Sequence, residues 1–174
     1  MTINPKAHVI VLVGLSGSGK STIGAALSKQ LNFRFIDIDE RIEQNEGTSI
    51  TEIFTQKGEG RFRELERETV LRLDLSSPSV LALGGGAWMQ DEIRGFLSPI
   101  ASIIYLDADV ELLLQRLKDN NVRPLLDNLS KRKEVLEQQL ETRTRVYKEA
   151  DITVNANAAV PEVTQEIIQK LRLS

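Results

Sequence analysis

The residues most able to do chemistry sit near the start of the chain. The stretch GLSGSGKST, 14–22, satisfies G-x-x-x-x-G-K-[ST] in full, with Gly14, Gly19, Lys20 and Ser21 at its defined positions. Glycines there let the backbone wrap tightly, so successive N–H groups point inward at an anion. A helix N-terminus behind the loop adds partial positive charge. The chemistry is phosphate binding, and Gly17, Ser18, Gly19, Lys20, Ser21 and Thr22 are the candidate nucleotide-binding residues. Lys20 is placed to reach the β- and γ-phosphates, and the Ser21 hydroxyl suits Mg²⁺.

Such a loop specifies a nucleotide but not a reaction. A regulatory GTPase needs an N-K-x-D guanine-reading motif, and the chain has none. An ATPase motor usually ends a neighbouring buried strand in aspartate, whereas SVLAL, 79–83, runs into three glycines. A small-molecule kinase fits best. Two carboxylates support it: FIDIDE, 35–40, spaces Asp37 and Asp39 two apart. On a strand end that spacing puts both on one face, toward the crevice where α/β proteins bind ligands. One aspartate would then serve Mg²⁺ and the other the acceptor hydroxyl. The other reading is that both open the next helix, where acidic residues suit the helix dipole.

These residues need a scaffold. Val9–Val13 is a continuous β-branched and leucine run, as expected of a strand buried on both faces in a parallel sheet. A helical period follows over 19–31. Further strands are expected at 33–39, 79–83, 102–106 and 151–154, with helices at 109–118, 134–149 and 161–171. Between 40 and 75 the pattern is helical and charged, broken at EGTS and KGEG. Strands alternating with helices predict an α/β fold with a parallel sheet. The expectation is one domain with a helical substrate-binding insertion over about 38–75 and a lid over about 119–130.

The totals agree. The chain has 174 residues, enough for one compact domain, and a net charge of -3, which favours neither nucleic acid nor an anionic membrane. It has no cysteine and one histidine, His8, so thiolate and histidine-cluster metal sites are excluded. No stretch approaches the ~20 apolar residues of a membrane span. The expected location is the cytoplasm, and the expected state a monomer.

The P-loop, D-x-D at 37–39, GEGRFRELE at 58–66, ALGGGA at 82–87 and RPLL at 123–126 occur in that order. Together they resemble the shikimate kinases, from Val9 to about Val154. The resemblance implies a P-loop kinase of nucleoside monophosphate kinase type, three-layered, with a five-stranded parallel sheet. It implies ATP as co-substrate, one Mg²⁺, and transfer of the γ-phosphate to the 3-hydroxyl of shikimate in aromatic amino acid biosynthesis.

It also assigns roles. Asp39 matches the aspartate that binds the acceptor hydroxyl, and Asp37 the one linked to Mg²⁺ beside Ser21. Arg63 and Arg143 match the arginines holding the substrate carboxylate, with Glu66 orienting Arg63. Gly84, Gly85 and Gly86 bring backbone close to the acceptor. Arg123 in the lid closes on the phosphates, joining Lys20 and Asp39 as catalytic residues. Arg116 and Pro161 fall where the family packs around adenine. Taken alone, RFRELERE also reads as a solvated helix face and RPLL as an ordinary loop.

The sequence departs from the family pattern in three places. Arg145–Val146 stands where Pro-Leu is common, Ile38 where threonine or serine is frequent, and Trp88 where a small aliphatic residue follows GGGA. Trp88 reads as packing or as a border of the acceptor pocket. Two other functions compete: a kinase for another polyol acid such as gluconate or a cyclitol, and a non-catalytic nucleotide-dependent module.

Overall fold

The computed structural model describes residues 5–117 and 129–173. Within them β1 (Val9–Val13) is buried over its whole length. It is the central strand of a five-stranded sheet completed by β2 (Arg34–Asp37), β3 (Ser79–Ala82), β4 (Ser102–Asp107) and β5 (Ile152–Asn155), in the order β2-β3-β1-β4-β5. Every pairing is parallel. All residues of β1 and β3 are buried, as are the first five of β4. Successive strand residues face opposite ways, so helices must cover both sheet faces, giving three layers. One face is covered by α1 (Lys20–Leu31) and α7 (Val160–Leu173), which pack on each other and on β3 and β5 respectively. The core includes Ile10, Leu12, Ile23, Leu27, Leu81, Ile104 and Ile167, each 2% exposed or less.

The second strand is shorter than expected. It stops at Asp37, and α2 (Ile38–Glu46) begins at once. The Asp37 carboxylate accepts from the backbone N–H of Asp39 at 3.0 Å and of Glu40 at 3.4 Å, an N-cap that satisfies two donors a strand would have sent elsewhere. Asp39 therefore lies in the first helical turn, and the strand-face argument for the pair gives way to a cap. Gly47, at φ 66°, ends α2. A capping box at Ser49 and Glu52 then starts α3 (Ile50–Leu71). Hydrogen bonds from Thr48 and Ser49 hold the Glu52 carboxyl at about 2, well below its ordinary value. The expected break at KGEG is a kink within α3 at Gly58, whose φ of 77° favours glycine.

Between β3 and β4 lie a short 3-10 turn, Ala87–Met89, and α4 (Asp91–Leu97), neither anticipated. Past β4 come α5 (Val110–Leu117) and α6 (Leu129–Tyr147). The latter starts five residues before the expected 134. Its first turns are polar, so no apolar period marked them until Leu136, and Arg132 anchors them by donating to the Leu117 carbonyl at 3.0 Å. Among the described residues, no helix is long and apolar enough to cross a membrane.

Candidate active site

Sheet register builds the site. Asp37 pairs with Ala82, and Ala82 with Leu12, so β2, β3 and β1 end abreast. Beyond those ends lie the start of α2, the glycine run and the P-loop. The order also switches here, because the chain passes from β1 to β2 and returns to place β3 between them, and α/β sheets bind ligands at such a point. A cavity of about 550 Å³ opens there, lined by the P-loop with Asp37, Asp39, Gly84, Gly85 and Arg116. A larger one of about 650 Å³ lies along the outer side of β2 and shares only Asp37 with it. Size favours the second; chemistry selects the first, which holds the phosphate loop.

On the donor side, Gly14, Gly17 and Gly19 have φ values of 146°, 86° and 94°, so the loop needs glycine at each. The Lys20 ammonium is folded inward, donating to the carbonyls of Gly14 at 3.0 Å and Leu15 at 2.8 Å. Ser18 is buried beneath the loop, while Ser21 and Thr22 begin α1 on the cavity wall. Arg116 donates to the carbonyls of Gly17 at 3.3 Å and Ala156 at 3.4 Å, spanning the P-loop and the segment after β5. Pro161 is exposed in the first turn of α7 and does not line the cavity, so the two expected adenine residues are not brought together there. Arg123 lies outside the described residues. So does the expected lid, except for 129 and 130, which open α6.

The Ser21 hydroxyl donates to the Asp37 carboxylate at 2.5 Å. Among the described residues, no group of three or more histidines and carboxylates gathers to hold a metal alone. Ser21 and Asp37 nevertheless offer two hard oxygen donors beside the phosphate loop. That set suits Mg²⁺, which keeps waters and takes further ligands from substrate phosphates.

The side chains packed around it explain the second glycine run. A Cβ on Gly84 would collide with Glu66 Oε1 and lie 2.9 Å from Asp39 Oδ1. A Cβ on Gly86 would lie 2.5 Å from Arg63 Cζ. The missing side chains are the space that Asp39, Glu66 and Arg63 occupy. Gly85 faces the other way: its Cβ would meet the Ser16 backbone nitrogen at 3.0 Å, pressing on the P-loop.

Arg63 is held from both sides, by Glu66 at 2.5 Å and Glu59 at 2.9 Å. Burial pulls its pKa down, but the two carboxylates outweigh that and raise it above the ordinary value. Glu66 is 0% exposed, Arg63 24%. Arg143 reaches the same run, donating to the Gly85 carbonyl at 3.0 Å. Arg145 is exposed, and Arg132 is committed to Leu117. Trp88 is 2% exposed and its carbonyl accepts from Arg94, which is the packing reading.

Two contacts escaped the sequence reading. Glu59 grips Arg63 from one turn earlier, and its E-x-x-x-R spacing was a usable signal. Tyr147 ends the R-x-x-x-Y spacing by which Arg143 is chosen, but that spacing did not show its contact: it donates to the Gly85 carbonyl at 2.5 Å, across 62 residues.

A parallel sheet carrying a phosphate loop on its central strand, with acidic and cationic groups across the same crevice, is the frame of the P-loop small-molecule kinases. The comparisons narrow the class. A family profile described as Shikimate kinase matches residues 16–172. Shikimate kinase of Persephonella marina is 37% identical over 94% of this chain and 98% of its own length. That of Paramagnetospirillum magneticum is 42% identical over 90% and 80%. The solved shikimate kinase from Acinetobacter baumannii in complex with shikimate superposes with a TM-score of 0.89, at 36% identity over 94% of this chain and 92% of that one. The chain belongs to the shikimate kinase family, whose members are ATP-dependent kinases.

Proposed function

We propose that this chain transfers the γ-phosphate of ATP to the 3-hydroxyl of shikimate, giving shikimate 3-phosphate and ADP on the route to chorismate. The observation that carries the reading is one cavity lined by Asp39 and Gly84 together with the phosphate loop, with Glu66 packed against Gly84 and Arg63 against Gly86. The relative solved with shikimate supports the choice of acceptor.

In this reading, backbone N–H groups of 17–22 cradle the phosphates, and Lys20 leaves the loop carbonyls for the β- and γ-oxygens. Arg63 and Arg143 grip the shikimate carboxylate; a guanidinium presents two parallel donors that match it. Backbone of 84–86 lies against the ring. Asp39 accepts the hydrogen bond of the attacking hydroxyl and orients it in line. Arg123, from the expected lid sequence, supplies positive charge over the transferring group. Arg116 flanks the nucleotide base together with Pro161. Mg²⁺, held by Ser21 and Asp37, neutralises phosphate charge when bound. The enzyme works as one domain and a monomer in the cytoplasm, without nucleic acid or membrane.

A coupled ADP-release assay across acceptors tests this. ADP release that depends on shikimate, well above the rates with gluconate, a cyclitol or water, is expected; equal rates with all four overturn it. Asp39→Asn is expected to lower kcat by about 10²–10⁴ with the fold intact by circular dichroism.

A further inference from the structure

The Gly85 carbonyl is buried and takes two donors from one helix. Tyr147 supplies its hydroxyl at 2.5 Å and Arg143 its Nη1 at 3.0 Å. They stand four residues apart on α6, hence on one face. A carbonyl oxygen has two lone pairs, so both bonds coexist.

The two donors differ in freedom. Tyr147 is 0% exposed, and its ring stacks on Tyr105 with centroids 5.0 Å apart and planes within 10°. Tyr105 is itself fixed, donating to Asp107 at 3.0 Å. Burial and Asp107 raise the Tyr105 pKa, so its hydroxyl stays a donor. Arg143 is half-buried on a long flexible stem, and no carboxylate pairs with it among the described residues. One donor is locked; the other is able to leave.

We propose that Tyr147 is a positioning residue that frees Arg143 for the acceptor. The proposal rests on the reading that Arg143 grips the substrate carboxylate. When its Nη1 turns to the carboxylate it gives up the Gly85 carbonyl, and a buried carbonyl stripped of donors is costly. Tyr147 keeps that oxygen satisfied whether or not Arg143 is present, so the arginine moves at little cost. Without the hydroxyl, Arg143 is the only side chain satisfying Gly85 among the described residues, and its release competes with substrate binding.

The test is steady-state kinetics on Tyr147→Phe, Arg143→Ala and the double variant, with shikimate and ATP varied in turn. Phenylalanine preserves the ring and the stack. Tyr147→Phe is expected to raise KM for shikimate about three- to tenfold, the reach of one hydrogen bond, while KM for ATP stays unchanged. On the Arg143→Ala background it is expected to add nothing. With shikimate methyl ester, whose carboxylate is blocked, wild type and Tyr147→Phe are expected to match. A rise of equal size with and without Arg143, or a parallel loss for both substrates, makes Tyr147 merely structural and overturns the proposal. If Arg143→Ala leaves KM for shikimate unchanged, the carboxylate reading itself falls.

Discussion

In the proposed function Arg63 combines a substrate role with a structural one, and the two are separable. Its guanidinium sits beside Glu66, a carboxylate with no exposure, so Arg63→Ala removes the positive charge that accompanies a buried negative one. Breaking such a pair costs about 3–5 kcal/mol, and the melting temperature should fall. Glu66→Gln in the same chain removes the charge and should recover much of that loss. It should not restore binding: KM for shikimate is expected to stay about 10- to 100-fold raised, the effect of losing a charged hydrogen bond, with ATP affinity unchanged. Thermal unfolding with two-substrate kinetics checks both halves; recovery of KM along with stability would make Arg63 a scaffold residue only. At this scale much was legible. Lys20 and Ser21 were readable because a phosphate loop constrains residue type at each position, and Asp37 through its D-x-D spacing with Asp39. Glu59 was within reach through helical spacing. The Tyr147 hydrogen bond was not, because its partner is a carbonyl, and any residue has one.

Among the elements, the turn after β3 joins the P-loop to the side chains of α2 and α3. Its three glycines face different neighbours: Gly84 toward Glu66 and Asp39, Gly86 toward Arg63, and Gly85 toward Ser16 in the P-loop. Filling crowded space costs about 1–3 kcal/mol, roughly ten- to a hundredfold in binding when one ligand pays it. Gly84→Ala and Gly86→Ala should therefore weaken shikimate, and Gly85→Ala should weaken ATP. Calorimetric titration with each substrate checks this; a uniform loss across all three variants would mean that the turn acts as one rigid piece. The sequence marked this turn as special but did not assign its faces, since glycine has no side chain whose chemistry declares a direction. The end of β2 shows a second limit. Period-two spacing put Asp37 and Asp39 on one strand face, yet both reach the cavity because Asp37 caps a helix and Asp39 enters its first turn. A capping carboxylate and a strand-end carboxylate look alike in one dimension.

For the whole molecule, the insertion and the sheet should unfold as one body, because α3 buries Ile50, Ile53, Phe62, Leu65 and Val70 in the same apolar cluster as the strands. Trp88, the chain's one tryptophan, sits where α3, α4 and α6 meet the turn after β3 and is 2% exposed. Its emission should be blue-shifted in the native state and report the helical side, while far-UV circular dichroism reports the whole chain. Both probes are expected to share one denaturant midpoint; separated midpoints would show the helices unfolding apart from the sheet. By itself the sequence determined the α/β class, the phosphate loop, the nucleotide and the ordered motifs of the family, because each depends on residues close together in the chain. Only the tertiary structure decided strand order, which side chains each glycine faces, and that Arg143 and Tyr147 meet at the Gly85 carbonyl. Those choices follow from sheet register and helix docking, which bring residues 14, 37, 63, 85 and 143 to one edge of the sheet, and no local pattern encodes distances across the fold.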